Sequence, residues 1–117
     1  MKFLPLTIID INSESKDEVS DYLNLPLCLI NDHVIRMSIM TEPFYWHLHP
    51  NSDEIFLAIE GSLYIDLETH TVELLPGQLF TVPVNVKHRT RPKGGRSVNL
   101  TFEHNEIKTV KLSSNEI

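Results

Sequence analysis

The sequence predicts an all-β domain, a sandwich or barrel. Apolar runs are short and β-branched, turn residues punctuate them at close intervals, and only one stretch has helical potential. At 117 residues the chain is read as one domain, residues 1–117, long enough to bury a core without staples. The segment FLPLTIIDI (3–11) reads as a first strand. The polar stretch that follows, NSESKDEVSDYLN, is the place for at most one short N-terminal helix, with Ser15 as the candidate cap.

The remaining strands follow in order: 25–30, 33–40, 43–49, 54–60, 62–68, 71–75, 79–83, 87–91 and 97–104. Asn31-Asp32, the tetrad 50–53, Glu60-Gly61, Thr69-His70, Pro76-Gly77, Val84-Asn85 and the 93–95 segment supply the turns. The tail from Lys108 is expected to add an edge strand and fray at Ser113.

Composition narrows the function. Asp and Glu outnumber Lys and Arg by 16 to 10, which argues against nucleic-acid binding by phosphate neutralisation. Cys28 is the only cysteine, so no internal disulfide forms, and it reads as a small buried hydrophobe. The N-terminal apolar run is broken by Pro5 and Asp10, which fits neither a signal peptide nor a membrane span. A cytoplasmic protein without nucleic-acid or membrane partners is expected.

The chemistry concentrates in FYWHLHPNSDE, residues 44–54. On a strand, His47 and His49 share one face at a spacing of about 7 Å, from which two imidazoles reach a common ion. After the 50–53 turn, a strand returning antiparallel beside the first brings Glu54 to the same side. His88, from a distant strand, is the fourth candidate. Three imidazoles and a carboxylate leave coordination positions open and suit one divalent transition metal, with Zn, Fe, Mn, Ni, Co and Cu all compatible.

These residues carry a family resemblance. HLHPNSDEIFLAIEG and GQLFTVPVNVKH resemble the two motifs of the cupin superfamily, in particular its small, mannose-6-phosphate-isomerase-like members, over residues 41–92. The resemblance implies a double-stranded β-helix, a jelly-roll barrel, holding a metal through His47, His49, Glu54 and His88. Thr41 and Asn85 stand where the motifs usually have glycine, and no asparagine follows His88 at the usual place; Asn85 tolerates the left-handed turn required there.

Alternation assigns the neighbours. Tyr45 faces inward with the histidines, as a support for a ligand or a substrate contact, while Phe44, Trp46 and Leu48 face outward with Ile55, Leu57 and Ile59, opposite Phe56 and Ala58. The resulting apolar face calls for a homodimer or for cover by the N-terminal strand. Lys87, Arg89, Arg91, Lys93 and Arg96 read either as a cationic rim for an anionic substrate or as an outward, solvated face, which alternation favours for the first three. Either Arg36 and Ser38 face out, leaving Ile35, Met37 and Ile39 to fill the barrel, or Arg36 enters the cavity; the first costs less, since an inward charge needs a carboxylate partner. His33, His70 and His104 read as surface residues.

Three functions share these ligands: Lewis-acid chemistry on a sugar-like acid, an Fe(II) dioxygenase, and a non-catalytic module that binds a metal or small ligand.

Overall fold

A computed structural model describes residues 1–117. A short helix, α1 (Ile11–Ser15), precedes ten strands: β1 (Tyr22–Ile30), β2 (His33–Met40), β3 (His47–Leu48), β4 (Glu54–Glu60), β5 (Leu63–Leu67), β6 (Thr71–Leu74), β7 (Leu79–Val82), β8 (His88–Pro92), β9 (Ser97–His104) and β10 (Val110–Lys111). They form two antiparallel five-stranded sheets, ordered β1-β2-β9-β4-β7 and β10-β3-β8-β5-β6. Below, these are the first and second sheets.

The inner faces meet as alternation requires. Phe56 and Ala58 of β4, Leu63 and Ile65 of β5, and Met40, Leu74 and Val82 form one buried cluster. A second cluster lies on the other face of the first sheet, where Leu27, Met37, Ile39, Val98 and Leu100 are capped by Phe3, Ile9 and Ile11 of the N-terminal segment, with Leu57, Ile59 and Cys28 beside them. The first sheet is therefore covered on both sides.

That second layer explains where sequence and structure part. Residues 3–10 form no strand: Pro5 has no N–H to give a ladder, and Leu6 sits at φ 66°, so only Lys2 N and Phe3 N reach β1, donating to Pro26 O and Leu27 O. The helix starts earlier than expected because Asp10, not Ser15, is its cap, its carboxylate accepting from Ser13 N at 3.1 Å. Ser15 ends the helix instead. The segment still covers the outer faces of β2 and β4, as packed chain rather than as a strand.

With that cover in place, β2 takes the opposite facing to the one expected. Ile35, Met37 and Ile39 pack outward under the N-terminal segment, and Arg36 and Ser38 turn into the space between the sheets. The strand expected over 43–49 shrinks to His47–Leu48, and β3 and β4 belong to different sheets instead of lying side by side. At the C-terminus β10 pairs with β3, and beyond Ser113 the chain closes a 3₁₀ turn (Ser114–Glu116), Ser113 N donating to Glu116 Oε1 at 2.9 Å, where fraying was expected.

The basic cluster near His88 turns away from the barrel interior. Asp66 on β5 is 5% exposed and accepts from Arg89 Nε and Arg91 Nε at 2.8 Å, from Arg91 Nη2 at 3.1 Å and from Thr71 Oγ1 at 2.6 Å. Lys93 pairs with Glu73, Lys87 with Glu68 and Arg96 with Glu60, and none of the five lines the cavity. The hydrogen bond from Arg91, against the cost of burial, with those from Thr71 and Arg89, holds the Asp66 carboxyl well below its ordinary value near 3.8.

Asp66→Asn is accordingly expected to cost about 2 kcal/mol at pH 7, below the ~3–5 kcal/mol of a fully buried pair because both arginines are about one-third exposed. A group with a depressed folded pKa contributes fully above its unfolded pKa and loses that contribution as pH falls through the folded value. The gap between variant and wild type in urea unfolding should thus be equal at pH 7 and pH 5 and narrow progressively as pH falls below about 4.

Candidate metal centre

Each candidate ligand is set by its local chain. His47 and His88 are cross-strand partners on β3 and β8, so their imidazoles rise side by side, with ring centroids 4.2 Å apart. His49 follows β3 in a loop clamped from two sides. Asn51 accepts from Lys108 N and donates to Glu106 O, Ser52 Oγ accepts from His104 N, and His49 O accepts from Asn85 N at 2.8 Å. Asn85 adopts φ 63°, the left-handed turn that its amide side chain tolerates. Glu54 opens β4 opposite Val82 and Glu103.

His47, His49, Glu54 and His88 are all buried and offer ligand atoms within 4.8 Å of one another. Their hydrogen bonds fix the tautomers. The Nδ1 of His47 donates to Tyr45 O at 2.8 Å, that of His49 to Lys108 O at 2.9 Å and that of His88 to Val86 O at 2.8 Å. A carbonyl only accepts, so each Nδ1 carries the proton, and each neutral ring turns a bare Nε2 lone pair inward.

Those lone pairs face a carboxylate. Glu54 Oε1 lies 3.2 Å from His49 Nε2 and 3.4 Å from His88 Nε2, and His49 Nε2 is buried with no hydrogen bond. Acceptors gathered without donors are what a cation resolves, so these residues fit one divalent metal ion. Burial, then His88, pushes the His47 pKa down to about 4, which leaves that ring ready to ligate at neutral pH. Burial also opposes charge on His49, but the Glu54 carboxylate outweighs it and the His49 pKa is raised.

His47, His49 and Glu54 open onto a cavity of about 240 Å³ between the sheets, while His88 is fully buried and does not line it. One wall is the inner face of the first sheet: Arg36 and Ser38 of β2, Asn99, Thr101 and Glu103 of β9, and Glu54 and Phe56 of β4. Arg36 does have its carboxylate, Nε donating to Glu103 Oε1 at 3.1 Å. Glu103 sits directly across from Glu54 in the ladder. Its own burial and the Glu54 charge raise its pKa against the opposing pull of Arg36.

The chain irregularity at 43–46 changes the mouth. Phe44 lines the cavity alongside Tyr45, instead of facing out, because without strand geometry successive residues need not alternate. Their rings stack at 4.0 Å, Tyr22 stacks on Phe44 at 5.3 Å, and Lys111 lies over the Tyr45 ring. Tyr45 supports His47 through its carbonyl, not its phenol. Trp46 faces out, beneath Arg89, while His33 and His70 are exposed and His104 is half-buried, all three away from the ligand cluster.

Sequence reasoning missed Asn99, Thr101 and Glu103 as cavity residues, and for Arg36 it favoured the outside over the cavity entry it had also considered. The signal was present in β9: Ser97, Asn99, Thr101 and Glu103 alternate with Val98, Leu100 and Phe102. On a strand flanked by β2 and β4 and covered outside, the polar set has only the cavity to face.

The topology and the ligand spacing meet in a matching family model, that of the cupin domain, over residues 37–102. The chain is a cupin. The uncharacterised protein YdbB of Bacillus subtilis strain 168 is 36% identical over 104 residues, 88% of each chain. Among solved structures, a Klebsiella pneumoniae protein with a double-stranded β-helix domain superposes with TM-score 0.76 at 12% identity, covering 92% of this cupin and 97% of that chain. A Ralstonia eutropha protein, provisionally assigned as a mannose-6-phosphate isomerase, gives TM-score 0.70 at 21% identity over 85% and 98% of the two chains. Both likenesses establish the double-stranded β-helix, the jelly-roll barrel that the two motifs imply.

Proposed function

We propose that this cupin is a metal-dependent enzyme in which His47, His49, Glu54 and His88 hold one divalent ion and a small oxygen-rich acid, sugar-like in character, is isomerised, epimerised or ring-opened. The observation that carries the reading is the cavity: three of the four ligands, His47, His49 and Glu54, face one space of about 240 Å³ together with the Arg36–Glu103 pair and a row of polar side chains. That is the size of a small polar molecule.

When bound, the ion polarises a carbonyl or hydroxyl oxygen of the substrate. The chain's residues supply the rest. His47 and His88 are locked in position by backbone acceptors, so the centre is preorganised. Glu103, across from Glu54 in the ladder and paired with Arg36, faces the same cavity as the ligands and is the carboxyl placed to move a proton there. Phe44, Tyr45 and Tyr22 frame the mouth and limit water access. A cavity that includes a carboxyl able to move a proton favours an enzyme over a binding module. The dioxygenase uses the same ligands but needs no such group.

Incubation of the protein with a panel of aldonic and uronic acids in D₂O under nitrogen tests the reading. Loss of a carbon-bound proton signal by NMR, supported by Zn(II) or Mn(II), is the expected result. No exchange under nitrogen, together with oxygen consumption in a parallel incubation in air with Fe(II) alone, would establish the dioxygenase instead.

Two further properties belong to the same proposal. The protein works in a cytoplasmic, reducing setting, consistent with its lone Cys28. It also acts as a homodimer, because Leu4, Leu6, Ile8 and Val19 stand largely exposed around the covered face of the first sheet. Sedimentation showing a monomer at micromolar concentration would count against pairing.

A further inference from the structure

The inner face of the first sheet forms a grid. Thr101 lies between Arg36 and Phe56 in the ladder, and Asn99 lies between Ser38 and Ala58. Asn99 is 1% exposed and Thr101 4% exposed, yet Asn99 Oδ1 and Thr101 Oγ1 are buried without any hydrogen-bond partner. An unpaired buried polar atom costs about 1–3 kcal/mol, so two of them side by side on a cavity wall mark groups kept for something outside the chain.

Arg36 adds charge to that wall. It is the only Lys or Arg among the lining residues. Its Nε is taken by Glu103 Oε1, and Nη1 reaches only Asn24 Oδ1, at 3.5 Å. A guanidinium has five N–H donors, so most of the fork is left for an incoming acceptor.

We propose that Arg36, Asn99 and Thr101 form the recognition wall for a hydroxylated carboxylate, Arg36 taking the carboxylate and the Asn99 amide and Thr101 hydroxyl taking adjacent hydroxyl groups. Neither an apolar acid nor a neutral polyol uses the whole wall. The inference deepens the proposed function by naming the groups that choose its substrate, and it rests on that reading only for the presence of a reactive centre nearby.

The test is a calorimetric titration of the purified protein with gluconate, hexanoate and sorbitol, which share chain length, with metal content measured on the same samples. Gluconate is expected to bind wild type about tenfold or more tightly than either of the others. Thr101→Val, which is nearly isosteric, should remove most of the advantage over hexanoate, leave hexanoate affinity unchanged and raise the melting temperature of the ligand-free protein. Asn99→Leu should act in the same direction on affinity, and Arg36→Met should remove the advantage of gluconate over sorbitol. A purely structural Thr101 would give the opposite pair of results, a lower melting temperature with gluconate affinity intact, and would overturn the proposal. So would a wild-type protein that binds gluconate no better than hexanoate or sorbitol, or not at all. Normal metal content without hydroxyl preference defeats this inference alone; hydroxyl preference in a protein that takes up no metal defeats the metal reading and leaves the wall standing.

Discussion

His49→Ala is expected to lower metal affinity by about 100-fold or more at pH 7.5, leaving little metal on the protein after gel filtration. His49 Nε2 is buried 3.2 Å from Glu54 Oε1 with no hydrogen bond, and its Nδ1 is fixed by Lys108 O. Alanine removes both the donor atom and the reason for its orientation, while the loop keeps its clamps through Asn51 and Ser52. The variant should therefore fold. Wild type should show a related pH dependence, because ligation requires neutral imidazole and His49 has the raised pKa. Affinity measured against a competing chelator should therefore begin to fall above the ordinary imidazole value of about 6.5 and keep falling as pH drops through it. A curve flat from pH 5 to 8, or a variant with full metal content, would remove His49 from the centre.

Gly61→Ala should be strongly destabilising, at about 3 kcal/mol or more. Gly61 joins β4 to β5 at φ 70°, a left-handed conformation that already disfavours a side chain. A Cβ built there would stand 2.5 Å from Arg96 O, a backbone atom on the chain leading into β9, and backbone cannot swing aside as a side chain does. Relief would have to come from the β4–β9 ladder, which already shifts register between Ala58 and Glu60. Gly77 makes a useful control: it too has positive φ, at 88°, but an added Cβ would meet nothing within 4 Å. Gly77→Ala should cost only the conformational part, about 1 kcal/mol. Equal urea midpoints for the two variants would show that the close approach at Gly61 does not matter.

Local signals in the sequence placed much of this. Short β-branched runs and Asn, Gly and Pro turns marked most strands, and the spacing from His47 to Glu54 and on to His88 named residues that do converge. Alternation failed where its premise failed. It assigned Phe44 to the outside although 43–46 is irregular, and it placed β3 beside β4 although the 49–53 turn crosses between sheets.

Arg36 shows a different limit. The cost of burying a charge argued for the outside, and that rule was overridden by two distant facts: the N-terminal segment covers the outer face, and Glu103, 67 positions later, supplies the carboxylate. Neither is legible in HVIRMSIM alone. Once β9 is seen as an interior strand, its polar alternation predicts the cavity wall without further information.

The central claim is that three Nε2 atoms and the Glu54 carboxylate hold one divalent metal ion. X-ray absorption spectroscopy at the metal edge of freshly purified protein, with elemental analysis of the same sample, tests it most directly. The account predicts one metal per chain, about three imidazole nitrogens near 2.1 Å and the remaining scatterers oxygen. A sulfur scatterer, fewer than two imidazoles, or protein that takes up no metal when titrated at pH 7.5 would contradict it.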